Sequence, residues 1–161
     1  MEQYIQPFID GSIEVFRDLC NTEVTASRPF FVTQSEFETI WDVSGIIGLS
    51  GEVSGAVAIS LKEATAFKLT NILTGTEHTT VDREVTDALG EIINIITGNV
   101  KEFFERKTRI KISMPSIIKG RSHSIVWPSD KTRIICIPFL IFENQEFCLS
   151  VAVEQAKGGA N

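Results

Sequence analysis

The chain has 161 residues, of which 43% are hydrophobic, with three cysteines and a formal net charge of -6. That is enough apolar material to bury one core without disulfides, so a single domain over 1–155 with a flexible tail, 156–161, is expected. An acidic chain without Lys/Arg clusters excludes nucleic-acid backbones and anionic membranes as partners, and points to a protein or a small molecule instead.

The N-terminal stretch Met1–Phe8 has an acid, a proline and no apolar run, and no segment approaches the length of a membrane span, so a cytoplasmic protein is expected. Cys20, Cys136 and Cys148 are odd in number and widely spaced, which suggests reduced core thiols rather than a disulfide framework or a zinc site. His78 and His123 have no second histidine or cysteine at ligand spacing, and neither is assigned direct chemistry.

In chain order, Pro7 suits the first turn of a helix running to about Asn21, with Phe8, Val15, Phe16 and Leu19 on its buried face. Glu23 to Thr33 is rich in Val, Thr and Phe and reads as a strand, where Pro29 implies an edge or a bulge. Ile40 to Leu49 and Val53 to Leu61 form a hairpin around Ser50-Gly51-Glu52. Lys62-Glu63 opens a short helix through Ala66, Leu69, Ile72 and Leu73, closed by Gly75 as a left-handed cap.

The next helix, within Val81 to Phe104, repeats Val85, Leu89, Ile92, Ile96, Val100 and Phe103 at three- and four-residue steps, a core face. Arg109 to Gly120 reads as a strand and Ser124 to Trp127 as a short extended piece. Arg133 to Phe142 and Glu146 to Val153 make a second hairpin around Glu143-Asn144-Gln145.

On the outer side of the second long helix, Asp87, Glu91, Asn94 and Gly98 fall within an arc of roughly 60°. Solvated helix faces carry mixed long charges, whereas this one carries two acids, a short amide and a glycine, with Gly90 alongside. Gly90 and Gly98 each cost about 1 kcal/mol of helix propensity, which hints at a close approach. The first helix carries Asp10, Glu14 and Arg17 at the same spacing, and each long helix leads into a proline-bearing strand, with Pro29 or Pro115, and then a hairpin. An internal duplication follows. Two helix-strand-hairpin halves predict an α/β (α+β) domain, with one mostly antiparallel sheet and the long helices packed on a face.

These residues resemble the CheC/CheX/FliY phosphatases of bacterial chemotaxis, and within them the CheX branch most closely. The family motif D/S-x3-E-x2-N on a helix reads here Asp87-x3-Glu91-x2-Asn94, with Pro115 in I112-S-M-P-S116 at a spacing slightly shorter than usual. Gly51 to Leu61 and Gly120 to Ile125 are similar in context. The resemblance implies a phosphatase that binds a phosphorylated CheY-like response regulator and accelerates hydrolysis of its aspartyl phosphate. It implies Asn94 as the group orienting the attacking water, Glu91 as catalytic and docking residue, and Asp87 as a further polar contact; Gly90 and Gly98 on the same face are read as partner-binding positions from the close approach that they allow. Mg²⁺ is expected on the partner's receiver domain, with no cofactor on this chain.

Arg17 stands where Asn94 stands in the second half, so one site per chain is expected, and the resemblance further implies a homodimer through sheet edges. The competing class is a non-catalytic interaction module docking on a regulator or flagellar switch complex. A small-molecule hydrolase lacks a metal cluster, nucleophile elbow or phosphate loop in this sequence.

Overall fold

The computed structural model describes residues 2–37 and 40–155, without the side chains of Glu2 and Gln3. The expected tail, 156–161, lies outside the described residues. Three helices, α1 (Glu2–Cys20), α2 (Glu63–Thr74) and α3 (Arg83–Phe104), pack on one antiparallel eight-stranded sheet. Its strands are β1 (Thr25–Ala26), β2 (Phe30–Val32), β3 (Val43–Gly51), β4 (Val53–Leu61), β5 (Ile110–Ile112), β6 (Ser116–Lys119), β7 (Ile134–Ile141) and β8 (Gln145–Gln155).

The spatial order is β1-β7-β8-β4-β3-β5, with β2 also on β7 and β6 also on β3. Exchanging the first half (β1/β2, β3, β4) for the second (β5/β6, β7, β8) returns the same order reversed, so the two halves are related as by a twofold axis between β4 and β8. Each half lends its proline-bearing edge strand to the hairpin of the other. The two halves therefore share one core, and neither could close its sheet alone.

The duplication reaches into detail that the sequence reading did not register. Arg109 to Gly120 is not one continuous strand: Ile112 faces Leu49 while Ser116 faces Ile46, so three residues, Ser113-Met114-Pro115, oppose two on β3. This is a β-bulge, which bends the edge strand and ends its continuous pairing. Glu23 to Thr33 is interrupted in the same way, and at Pro29 both expected alternatives hold, an edge position and a bulge. Ala26 faces Phe139 and Phe30 faces Cys136, so Ser27-Arg28-Pro29 oppose two residues on β7.

The serine N–H of each bulge donates across the strand, Ser113 to Gly48 at 2.9 Å and Ser27 to Pro138 at 2.8 Å. A proline at the third position suits both, because a bulged edge asks no ladder hydrogen bond of it.

Strand alternation divides the interior in two. On β8, Phe147, Leu149 and Val151 join the helix-side core with Phe16, Leu89, Ile92 and Ile96, while Cys148 and Ala152 point the other way. There Trp41, Ile125 and Trp127 cover them, so both faces of the central strands are dry. The central pair leaves no room for a side chain at Gly55, where a β-carbon would collide with the Ala152 carbonyl oxygen. Gly75 caps α2 in the left-handed conformation, φ 71°, as its position predicts.

The helix faces hold except at their ends. Val85, Leu89, Ile92, Ile96 and Val100 are buried, but Phe103 is 58% exposed. In the last turn of α3 it is Phe104 that packs against the core, and Phe103 meets its ring edge-on from outside. Leu19 is likewise 37% exposed at the end of α1. Helix α1 also begins five residues before Pro7 rather than beside it. So near the N-terminus the proline sacrifices a single helical bond, which the packing of Phe8 and its neighbours outweighs. All three cysteines are buried and unlinked by disulfides, as their spacing predicts.

Candidate functional site

Helix α3 is set in place at its start. Asp82 caps it, accepting from the Val85 N–H at 3.0 Å, and Glu84 in the first turn and Lys101 in the last complement the helix dipole. Burial of Leu89, Ile92, Ile93 and Ile96 then fixes its rotation, and the same rotation turns Asp87, Glu91 and Asn94 to solvent. Three residues apart on one face, Glu91 and Asn94 have β-carbons about 5–6 Å from one another. A single partner group can therefore meet both.

The three polar residues differ in what already occupies them. Asp87 lies 3.7 Å from Arg83, one turn back, in an exposed pair. Among the described residues, neither Glu91 nor Asn94 has a side-chain hydrogen bond or ion pair with another residue. Their donors and acceptors are open to an incoming molecule. An unpaired exposed amide and carboxylate cost nothing in water, so folding tolerates them without needing them.

Gly90 sits where this stripe meets the second bulge. It is buried, and a β-carbon there would touch Pro115 Cγ at 3.6 Å and Ile117 Cδ1 at 3.9 Å. The close approach that a helical glycine hints at is thus made by the chain's own Pro115. Gly98, by contrast, is half-buried and has nothing within 4 Å of such an atom. Pro115 rests on α3 beside the turn that carries Asn94, since Gly90 and Asn94 differ by about 40° around the helix. The helix motif and the distant proline are therefore brought together.

The first stripe is arranged otherwise. Asp10 accepts a 2.8 Å hydrogen bond from Gln6, and Arg17 pairs with Asp18 at 2.9 Å. Helices α1 and α3 lie side by side in opposite directions, Gly11 next to Val100 and Tyr4 stacked on Phe104. The two stripes belong to one helical layer.

Neither histidine joins the stripe. His123 Nδ1 lies 2.9 Å from the Gly120 carbonyl and so carries the proton, while Nε2 accepts from Ser44 Oγ at 2.8 Å, on the sheet face away from the helices. It ties the covering segment to the sheet. His78 is buried with Nε2 2.7 Å from Glu84 Oε2, at the entrance to α3. Among the described residues, no His/Cys/Asp/Glu group could hold a metal ion, and no helix is long and apolar enough to cross a membrane.

A motif-bearing helix against a proline bulge, in a duplicated sheet, is an arrangement that can be compared with known proteins. Residues 43–140 match the family described as chemotaxis phosphatase CheX. The chain belongs to the CheX family. It is 26% identical over 157 residues to the CheY-P phosphatase CheX of Thermotoga maritima, covering 96% of this chain and 98% of that protein.

Among solved structures, the chemotaxis protein CheX from Vibrio vulnificus is 25% identical and superposes with a TM-score of 0.83 over 94% of this chain and 99% of that one. A CheX-CheY-BeF3-Mg²⁺ complex from Borrelia burgdorferi contains a chain 25% identical, with a TM-score of 0.78, covering 94% of this chain and 98% of that one. The CheX resemblance read from the sequence therefore holds for the family and the fold.

Sequence reasoning missed the bulge crest. Met114 is 84% exposed, the most exposed large hydrophobic side chain among the described residues, and it adjoins Pro115. The available signal was the repeated Ser-x-Pro, Ser27-Arg28-Pro29 and Ser113-Met114-Pro115.

Proposed function

We propose that this protein binds a phosphorylated CheY-like response regulator and accelerates hydrolysis of its aspartyl phosphate, with Asn94 orienting the attacking water. The observation that carries the reading is the open pair Glu91 and Asn94, exposed on α3 beside Pro115 with no partner within the described chain, in a member of the CheX family.

The chemistry asks little of the protein. An aspartyl phosphate has a carboxylate leaving group, and Mg²⁺ on the receiver domain would neutralise phosphoryl oxygens, as the metal does in phosphoryl transfer generally. What remains is to hold a water in line with the bond to be broken. The Asn94 amide accepts a hydrogen bond from that water through its oxygen and steadies a phosphoryl oxygen or the water through its N–H groups. Water oxygen then bonds to phosphorus, the bond to the aspartyl oxygen breaks, and the water's proton leaves with inorganic phosphate. Glu91, about one turn away, pairs with a regulator lysine near the phosphate and sets the docking register. Asp87 and the half-buried Gly98 lie along the contact surface, while Gly90 acts through Pro115 rather than by touching the partner.

Replacing Asn94 by alanine tests this. Decay of the phosphorylated regulator at saturating protein should slow about 100-fold, the scale of removing a positioned polar group, with Kd changed by less than threefold. Unchanged decay would instead favour a docking module without catalysis.

Association of two copies through sheet edges belongs to the proposal as well. The long apolar strands β3, β4, β7 and β8 are all interior, so such a dimer would use the short edge strands beside the bulges. A monomer in analytical ultracentrifugation removes that part and leaves the catalytic reading intact.

A further inference from the structure

We propose that the bulge Ser113-Met114-Pro115 is the second wall of the regulator-docking surface, with Met114 as its apolar anchor; this rests on the function proposed above. Three observations converge on it. First, Met114 is 84% exposed, although methionine is a residue that folding normally buries. It is carried on the same bulge whose Pro115 packs against Gly90 of α3, so the exposed side chain belongs to the segment that adjoins the stripe, and methionine adapts to irregular partner surfaces.

Second, the crest is held rigidly. Ser113 Oγ accepts from the Gly48 N–H at 2.9 Å and donates to the Met114 carbonyl at 2.8 Å, and its own N–H donates to Gly48. Pro115, on the other side, rests against Gly90 of α3. The backbone beneath Met114 is thus tied both to the sheet and to the helix that carries Asn94. A preorganised anchor loses little freedom when a partner arrives.

Third, the internal duplication supplies its own control. The equivalent crest in the first half is Arg28, exposed between Ser27 and Pro29. The residue matching Asn94 in that half is Arg17. Asn94 on the stripe and Met114 on the crest thus both answer to arginines in the first half. A short amide and an apolar crest together offer a partner one polar and one apolar point of contact.

The partner segment is therefore a patch on the receiver domain that is apolar and lies beside its phosphorylated aspartate. A test is to measure Kd of the host's CheY-type receiver domain, loaded with Mg²⁺ and beryllofluoride, for the wild type, Met114→Ser, Met114→Glu and Arg28→Ser, alongside phosphate decay at saturating protein. Because the crest is exposed, circular dichroism and Tm should match the wild type in all three variants.

Met114→Ser should raise Kd about tenfold, equivalent to 1.4 kcal/mol, and Met114→Glu more, with the saturating decay rate within twofold of the wild type and Arg28→Ser without effect. Kd within twofold of the wild type for both Met114 variants overturns the inference. So does a fall in the saturating rate at unchanged Kd, which would place Met114 in the chemistry. If Asn94→Ala leaves decay unaltered while Met114→Ser weakens binding, the catalytic reading alone fails and the docking wall stands.

Discussion

Asn94 and Arg17 occupy matching places in two copies of one helical unit, yet only the first is open to a partner. Arg17 is a long cation satisfied by Asp18 next to it at 2.9 Å, and a guanidinium has no acceptor with which to hold a water. Asn94 is short, uncharged at every physiological pH, and able to donate and accept at once. On the proposed reading the charged Glu91 beside it pairs with a regulator lysine, so its effect should fall on binding. Reversing that charge in Glu91→Lys should therefore raise Kd for the phosphorylated regulator at least tenfold and steepen the penalty at low salt, while Tm stays within about 1 °C. Isothermal titration at two ionic strengths reads both. An unchanged Kd would remove Glu91 from the docking surface.

At the scale of elements, α3 shows why a helix can be read from sequence and its environment cannot. The spacing of Val85, Leu89, Ile92, Ile96 and Val100 marks the buried face, and all five are buried. Phe103 continues the period but is exposed, because Phe104, four residues after Val100, takes the place against the core, and the spacing alone does not choose between the two. The glycines divide in the same way: identical in sequence reading, Gly90 has Pro115 against it and Gly98 has open space.

Gly98→Ala should accordingly stabilise the fold by about 0.5–1 kcal/mol, the propensity difference between the two residues in a helix, measured as a shift in the urea midpoint. A loss of stability there would mean that the site is tighter than the geometry describes. The edge strands were legible as strands and as proline-bearing, and Pro29 also read as an edge or a bulge, but the register of each bulge and the break at Pro115 were not legible. A bulge is a difference in register between two strands, and the partner strand lies some 65 to 110 residues away in the chain.

Over the whole molecule, the pseudo-twofold sheet makes each half depend on the other, and one cooperative unfolding transition follows from the shared core. The buried thiols report on that core. Burial pushes the Cys20 thiol up to about 11, and Cys148 is held high by its hydrogen bond with Cys136 and by burial. A thiol whose folded pKa is raised stabilises the fold fully below its unfolded value near 9, and that contribution is lost as pH climbs toward 11. Ellman's reagent at pH 8 should therefore find no reactive thiol in the native protein and three after denaturation. The urea midpoint should fall between pH 9 and 10.5. Rapid labelling of a native thiol would contradict the packing of both cores.

Local periodicity and motif spacing are properties of neighbouring residues, and they were decisive for the helices, the two hairpins, the duplication and the stripe of Asp87, Glu91 and Asn94. Burial of one face against water is enough to specify them, and the chain carries that pattern wherever it goes. Other features arise only when distant segments meet. The exchange of edge strands between halves, the one-residue slip at each Ser-x-Pro, the seat of Pro115 on Gly90 and the exposure of Met114 all depend on pairings that the chain makes across long separations. Hydrogen-bond register across the sheet decided these, because a slip of one residue leaves the sequence unaltered and moves every contact on the strand.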